Sequence, residues 1–182
     1  MNSKRTFLAL AACIVVAACV AATPATHAPL RKLAYAIGVL HPVPPLRTGA
    51  AFPDLDIEKL DGTRARFDGA SVRGTVIYNV FTSWCPSCRL EAPAFSAELP
   101  LLRKSGIAVV GIDQGEPPQA VQRFAGTFGL DYPVLIDPDS STTALLSARV
   151  IPETIVVRDG VVREIAIGPV NAQFLARIAG GV

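Results

Sequence analysis

Short runs of β-branched and aromatic residues alternate along this chain with longer runs of helix formers, the pattern of strands interleaved with helices. Thr75 to Phe81 and Ile107 to Ile112 are nearly continuous apolar runs, as buried strands should be. Arg89 to Leu102 is mostly Leu, Ala, Glu and Phe and suits a helix. Pro117 to Phe128 predicts a second helix, with Pro117 or Pro118 in its first turn and Gly129 as its C-cap. Tyr132 to Ile136 predicts a short strand that leads into the Asp137-Pro138-Asp139 turn. Ser140 or Ser141 can then cap a brief helix to about Ala148. Asp56 to Leu60 and Arg64 to Phe67 flank Asp61-Gly62, while Thr154 to Val157 and Val161 to Ile167 flank Arg158-Asp159-Gly160. Both pairs predict hairpins. Asn171 to Ala179 closes the chain as a helix. Together these elements imply an α/β sandwich around a mixed sheet.

The 182 residues leave room for one domain with a full core and a leader. A net charge of +2 with no long block of one sign gives nucleic-acid binding no support. Residues 1–22 read as a targeting segment, with Lys4 and Arg5 ahead of the uncharged run Phe7 to Ala18. Val16-Ala17-Ala18-Cys19 fits a lipoprotein signal, in which Cys19 becomes the lipid-bearing first residue. An uncleaved anchor helix over Thr6 to Ala22, or a soluble product cut after Ala22, are the other two readings. All three place the remainder outside the cytoplasm, on the periplasmic side. Residues 23–48 carry Pro24, Pro29, Pro42, Pro44 and Pro45 and read as a spacer, so the folded domain is expected over 49–182.

The candidate chemistry lies in Trp84-Cys85-Pro86-Ser87-Cys88, between the first apolar strand and the first helix. Proline favours the first helical position, so Pro86 at that position makes Cys85 the N-cap. Its sulfur then faces the unpaired N–H groups and the positive end of the helix dipole. Both favour the thiolate, the species that attacks disulfides. Cys88 follows one turn in, and the pair reads as a redox dithiol. A zinc site would need a second Cys or His pair, yet Cys13, Cys19, His27 and His41 all precede the folded region. A purely structural disulfide across so small a ring would constrain little of the unfolded chain. No metal or cofactor is expected.

The chain resembles the thioredoxin-like family, and within it the extracytoplasmic TlpA/ResA/CcmG type of thiol–disulfide oxidoreductase. The resemblance covers about residues 49–170. It is carried by Pro53-Asp54, Asp61-Gly62, Asn79 through Arg89 with Glu91 and Pro93, Val110-Gly111-Ile112-Asp113, and Ile151-Pro152-Glu153-Thr154 before Asp159-Gly160. It implies a thioredoxin fold: a central mixed sheet flanked by helices, with an added N-terminal hairpin and a central insertion. It also implies that Pro152 is a cis-proline beside the dithiol, leaving the Ile151 backbone to pair with an extended substrate. Pro93 would kink the helix behind the cysteines, and Trp84 would cover the dithiol, although a core aromatic would look the same in sequence. Position 79, a buried Asp in ordinary thioredoxins, is Asn here and cannot take a proton from Cys88. The resemblance assigns that task to a nearby acid, and Glu91, three residues past Cys88 on the same helix face, matches it; a solvated surface carboxylate is the alternative. Val150 stands where the family usually has glycine two residues before the proline, which bears on partner choice.

The expected activity is reduction of protein disulfides through a mixed disulfide between Cys85 and the substrate, resolved by Cys88. The Pro-Glu-Thr and Cys-Pro-x-Cys-Arg steps look most like the branch serving cytochrome c maturation, so apocytochrome c is an expected partner, beside a membrane electron donor. Two other classes compete. A copper chaperone of this fold wants a wider cysteine gap and a distal His, and no His follows His41. A peroxidase is suggested by Thr82-Ser83-Trp84-Cys85, which is similar to the peroxiredoxin Thr-x-x-Cys, but Tyr78 stands where their proline belongs.

Overall fold

The computed structural model describes residues 45–181. Cys19, the targeting segment and residues 23–44 lie outside them. The chain divides into two units, and the second begins at Pro45. Its start precedes the expected Gly49 because Leu46 already belongs to the domain. The Leu46 N–H donates to Ser147 Oγ at 3.2 Å, and its side chain packs against the core.

Seven strands form one mixed sheet: β1 (Leu55–Lys59), β2 (Arg64–Phe67), β3 (Thr75–Phe81), β4 (Ala108–Asp113), β5 (Val134–Ile136), β6 (Glu153–Arg158) and β7 (Val161–Ile167). Four helices flank it: α1 (Pro86–Lys104), α2 (Pro118–Phe128), α3 (Ser141–Leu145) and α4 (Ala172–Ala179). The strand order is β2-β1-β5-β4-β3-β6-β7, with β3, β4 and β5 parallel and the other neighbours antiparallel. The N-terminal hairpin is β1–β2. The central insertion is the α2–β5 unit, whose strand separates that hairpin from β4. This is the expected thioredoxin arrangement.

Strand side chains alternate between faces, which divides the core in two. Ile77 and Phe81 face Phe95, Leu99 and Leu102 of α1, Val121 and Phe124 of α2, and Leu175 and Ile178 of α4. Tyr78, Val80, Ile112, Ile155 and Val157 pack on the other side with Phe52, Leu55 and Leu146. The central strands are therefore covered on both faces, which is why their sequences are apolar throughout rather than alternating.

Several boundaries differ from the sequence expectation for local reasons. Ile107 does not join β4, because its N–H closes the end of α1 on Leu102 O at 2.9 Å. Helix α3 stops short of Ala148, where Ser147 takes a left-handed φ of 60°. Helix α1 runs unbroken through Pro93 and Pro100, both on its exposed side, while Cys88, Ala92, Phe95, Leu99 and Leu102 recur at helical spacing on the buried side. The expected kink at Pro93 thus leaves the helix continuous.

Candidate active site

Strand β3 lies inside the sheet between β4 and β6, and its C-terminal end delivers Thr82 and the Ser83-Trp84 turn to the start of α1. Cys85 is the N-cap of α1, extended at φ −72° and ψ 119°, with Pro86 in the first turn. Its Sγ accepts the Cys88 N–H at 3.3 Å, as an oxygen side chain would in an ordinary cap. Across the site, the same Sγ lies 3.8 Å from the Ile151 carbonyl, and the Ile151–Pro152 bond is cis. Cys85 keeps 5 % of its surface and Cys88 1 %, so the outer sulfur is that of Cys85. Burial pushes the Cys88 thiol well above its ordinary range, its contact with Cys85 adds to this, and the Glu91 carboxylate adds a smaller push. Cys88 therefore rests as a thiol.

The pocket beneath the dithiol is built from three elements. Glu91 on α1 is only 2 % exposed. Its Oε1 accepts from Asn79 Nδ2 on β3 at 2.7 Å, and its Oε2 from the Val170 N–H ahead of α4 at 3.0 Å. Burial lifts its pKa to about 7, against the pull of those two donors toward the charged form. A carboxyl poised near neutrality is suited to take and return a proton. The alternative of a solvated helix carboxylate is overturned: the Cys88-to-Glu91 spacing points inward, and Asn79 supplies the donor that keeps the charge tolerable.

Trp84 is 68 % exposed, which removes the core-aromatic alternative and leaves its ring on the surface beside Cys85. Leu90, Val150 and Ile167 are exposed apolar residues as well, while Ile151 is half-buried against both halves of the core. Pro86 is exposed and Pro152 buried.

Three acidic residues near this end of the sheet have no role that the sequence motifs assign. Glu153, next to Pro152 and opposite Val80 in the ladder, is buried, and desolvation lifts it to about 7. Asp113 ends β4, and its Oδ1 accepts the Glu116 N–H at 2.9 Å. The Glu116 carboxylate in turn accepts both the Ser83 N–H and, at 2.6 Å, the Ser83 hydroxyl. The available signal was the Asp113-to-Glu116 spacing directly after a buried apolar strand.

Comparison with known proteins agrees with this geometry. The AhpC/TSA family model matches residues 48–165, more than half of the chain. The thiol–disulfide oxidoreductase ResA of Geobacillus kaustophilus is 28 % identical over 130 residues, covering 71 % of this chain and 74 % of ResA. The thiol:disulfide interchange protein DsbE of Pseudomonas aeruginosa is 28 % identical over 132 residues, covering 71 % of each chain. Among solved structures, a secreted disulfide oxidoreductase of Mycobacterium tuberculosis, described as homologous to E. coli DsbE, superposes with a TM-score of 0.56. It is 27 % identical, over 69 % of this chain and 92 % of that one. The cap geometry of Cys85, the buried thiol behind it and these relatives agree on one assignment: the chain belongs to the AhpC/TSA family, on its ResA/DsbE side, and is a protein thiol–disulfide oxidoreductase.

Proposed function

We propose that the protein reduces disulfides of extracytoplasmic proteins, with Cys85 as the attacking sulfur and Cys88 as the resolving one. The observation that carries this reading is the asymmetry of the pair. Cys85 Sγ faces the helix N-terminus and the Ile151 carbonyl and keeps 5 % exposure, whereas Cys88, at 1 %, is held as a thiol. The Cys85 thiolate attacks a substrate disulfide, forming the mixed disulfide and releasing one substrate thiolate. Cys88 then passes its proton to the Glu91 carboxylate and attacks Cys85 Sγ, releasing the second substrate thiolate. The Cys85–Cys88 disulfide that remains needs two electrons from a membrane donor before the next cycle. An extended substrate segment beside Ile151 would lie against the exposed Trp84 and Val150.

The periplasmic placement is supported by the leader at residues 1–22, and the tether by Cys19 as a lipid site or by an anchor helix. The secreted Mycobacterium tuberculosis homologue supports the same compartment. The Cys85-Pro86-Ser87-Cys88-Arg89 and Pro152-Glu153-Thr154 steps support apocytochrome c as a substrate.

Trapping tests the assignment of roles. Cys88→Ser is expected to accumulate covalent partner complexes, and Cys85→Ser to abolish disulfide reduction. Complexes trapped by Cys85→Ser and not by Cys88→Ser would reverse the roles. A reduction potential near −120 mV rather than about −270 mV would make the protein an oxidant and overturn the reductive direction.

A further inference from the structure

The turn that carries the attacking sulfur is held from outside the dithiol pocket. Ser83, two residues before Cys85, gives its N–H and its hydroxyl to Glu116, and its carbonyl accepts from the Arg89 guanidinium at 3.1 Å. Between Ser83 and Cys85 only Trp84 intervenes, and its side chain is largely in solvent. The position of Cys85 therefore depends on Ser83, and Ser83 depends on Glu116.

Glu116 is itself held by Asp113, which is 0 % exposed. Asp113 Oδ1 accepts the Glu116 N–H, but Oδ2 is buried with no donor from another residue. Two ionised carboxylates in this position would leave that oxygen unsatisfied and place like charges side by side. A proton on Asp113, shared with the Glu116 carboxylate, satisfies both conditions. Burial and the contact with Glu116 lift Asp113 to about 8, and the bonds to Asp113 and Ser83 hold Glu116 below the ordinary carboxyl range against its partial burial. The other charged group acting on the pair is Asp137, just past β5, and Arg89 on α1 shares Ser83 with Glu116. The Asp137 carboxylate is engaged by the N–H groups of Thr142 and Thr143, and its charge pushes Asp113 further up. Arg89 is engaged by the Ser83 carbonyl and the face of Phe128.

We propose that Glu116 and Asp113 are positioning residues for Cys85: a proton shared between their carboxyl groups keeps Glu116 clamped on Ser83, and loss of that proton releases the turn that carries Trp84 and Cys85. The kinetic consequence rests on Cys85 being the attacking sulfur, whereas the clamp does not.

Trp84 is the only tryptophan in the chain, so its fluorescence reports on this turn alone. The oxidised protein is the appropriate sample, because neither thiol can titrate in it. Its Trp84 emission is expected to change with a midpoint near pH 8, the range set by Asp113. Asp113→Asn replaces the proton with an N–H that cannot be lost and is expected to abolish the transition. Glu116→Ala, at a half-exposed site that does not threaten the fold, is expected to give one emission state throughout. A flat wild-type curve, or a transition that survives in both variants, would overturn the clamp. So would a transition that disappears in Glu91→Gln or Glu153→Gln while Asp113→Asn keeps it.

In the reduced protein, Glu116→Ala is expected to slow alkylation of Cys85 at pH 7 by about tenfold, since a Cys85 sulfur displaced from the helix N-terminus loses N–H and dipole stabilisation of its thiolate. Peptide mapping separates the two readings. Wild-type labelling at Cys88 would overturn the assignment of Cys85 and leave the fluorescence result to decide the clamp. Labelling at Cys85 with an unchanged rate in Glu116→Ala would overturn the positioning role.

Discussion

Two carboxylates serve the dithiol turn, the buried Glu91 and the half-buried Glu116, and their surroundings deal with negative charge in opposite ways. Below the cysteines, Glu91 meets two neutral donors, Asn79 Nδ2 and the Val170 N–H. On the Ser83 side, the Glu116 carboxylate holds Ser83 while its own backbone N–H is held by the Asp113 carboxyl group, which also acts on its charge. In the lower pocket the proton is optional, because donors remain for the charged form; such a group can exchange its proton during a reaction. In the Asp113–Glu116 cluster one proton is required, because without it a fully buried anion lies beside a half-buried one. Burial raises a carboxyl pKa in both places, and the neighbour decides whether the result is a proton carrier or a latch.

Making the Glu91 pocket resemble the Asp113–Glu116 cluster should have the largest effect. Asn79→Asp puts a carboxylate within reach of Glu91, and removal of a donor from a buried charge costs about 3–5 kcal/mol. Denaturant unfolding should show that loss at pH 9 and little of it at pH 5, where one proton can be shared. Equal losses at the two pH values would mean that the pocket is wetter than its burial implies.

Glu91→Gln sharpens the comparison through linkage. The Glu91 pKa is about 7 in the folded chain against an ordinary value of 4.5, so the native state holds the extra proton between those values. The corresponding stability is present below about pH 4.5 and is lost as the pH rises through about 7, on the order of 3 kcal/mol for this shift. The variant should lose that decline and keep the parts contributed by Glu153 and Asp113, whose raised values span overlapping ranges. A wild-type slope in the variant would move the effect elsewhere.

The same substitution should slow resolution of the mixed disulfide by Cys88 about a hundredfold, at the low end of general-base contributions, without unfolding the domain. It should also alter the pH dependence of thiol alkylation, because the Glu91 charge opposes a second negative charge on Cys88. Superimposable pH–alkylation profiles would leave Glu91 structural. The smallest change is expected from Ser83→Ala, which deletes the hydroxyl bond to Glu116 and spares the N–H bond. About 1 kcal/mol of stability should go, read as a shift in the denaturation midpoint.

Much of the site could be read along the chain because its parts are local. Cys85, Pro86 and Cys88 fall within one turn, so cap, first helical position and buried sulfur follow from helix geometry. Glu91 was legible as a candidate because three residues of helix place it near Cys88, but the sequence left open whether it faced solvent. That depended on Asn79, twelve residues away on β3, and on Val170, seventy-nine residues away. The Ser83–Glu116 clamp spans thirty-three residues and joins the ends of two neighbouring strands, so no periodicity announces it. Trp84 was equally ambiguous, since an aromatic beside a buried strand can belong to a core or stand outside it.

By itself the sequence determined the alternation of strands and helices, both hairpins, the start of the first helix at the dithiol and the order of its two sulfurs. Each follows from side-chain pattern, turn chemistry or spacing within a few residues. Only the tertiary structure decided which carboxyl groups are buried, what each one meets, and that Ile151 closes over Cys85 from a segment sixty-six residues away. The physical reason is that a pKa, a hydrogen-bond partner and an exposed face are properties of the space around a side chain, and here that space is assembled from strands distant in sequence.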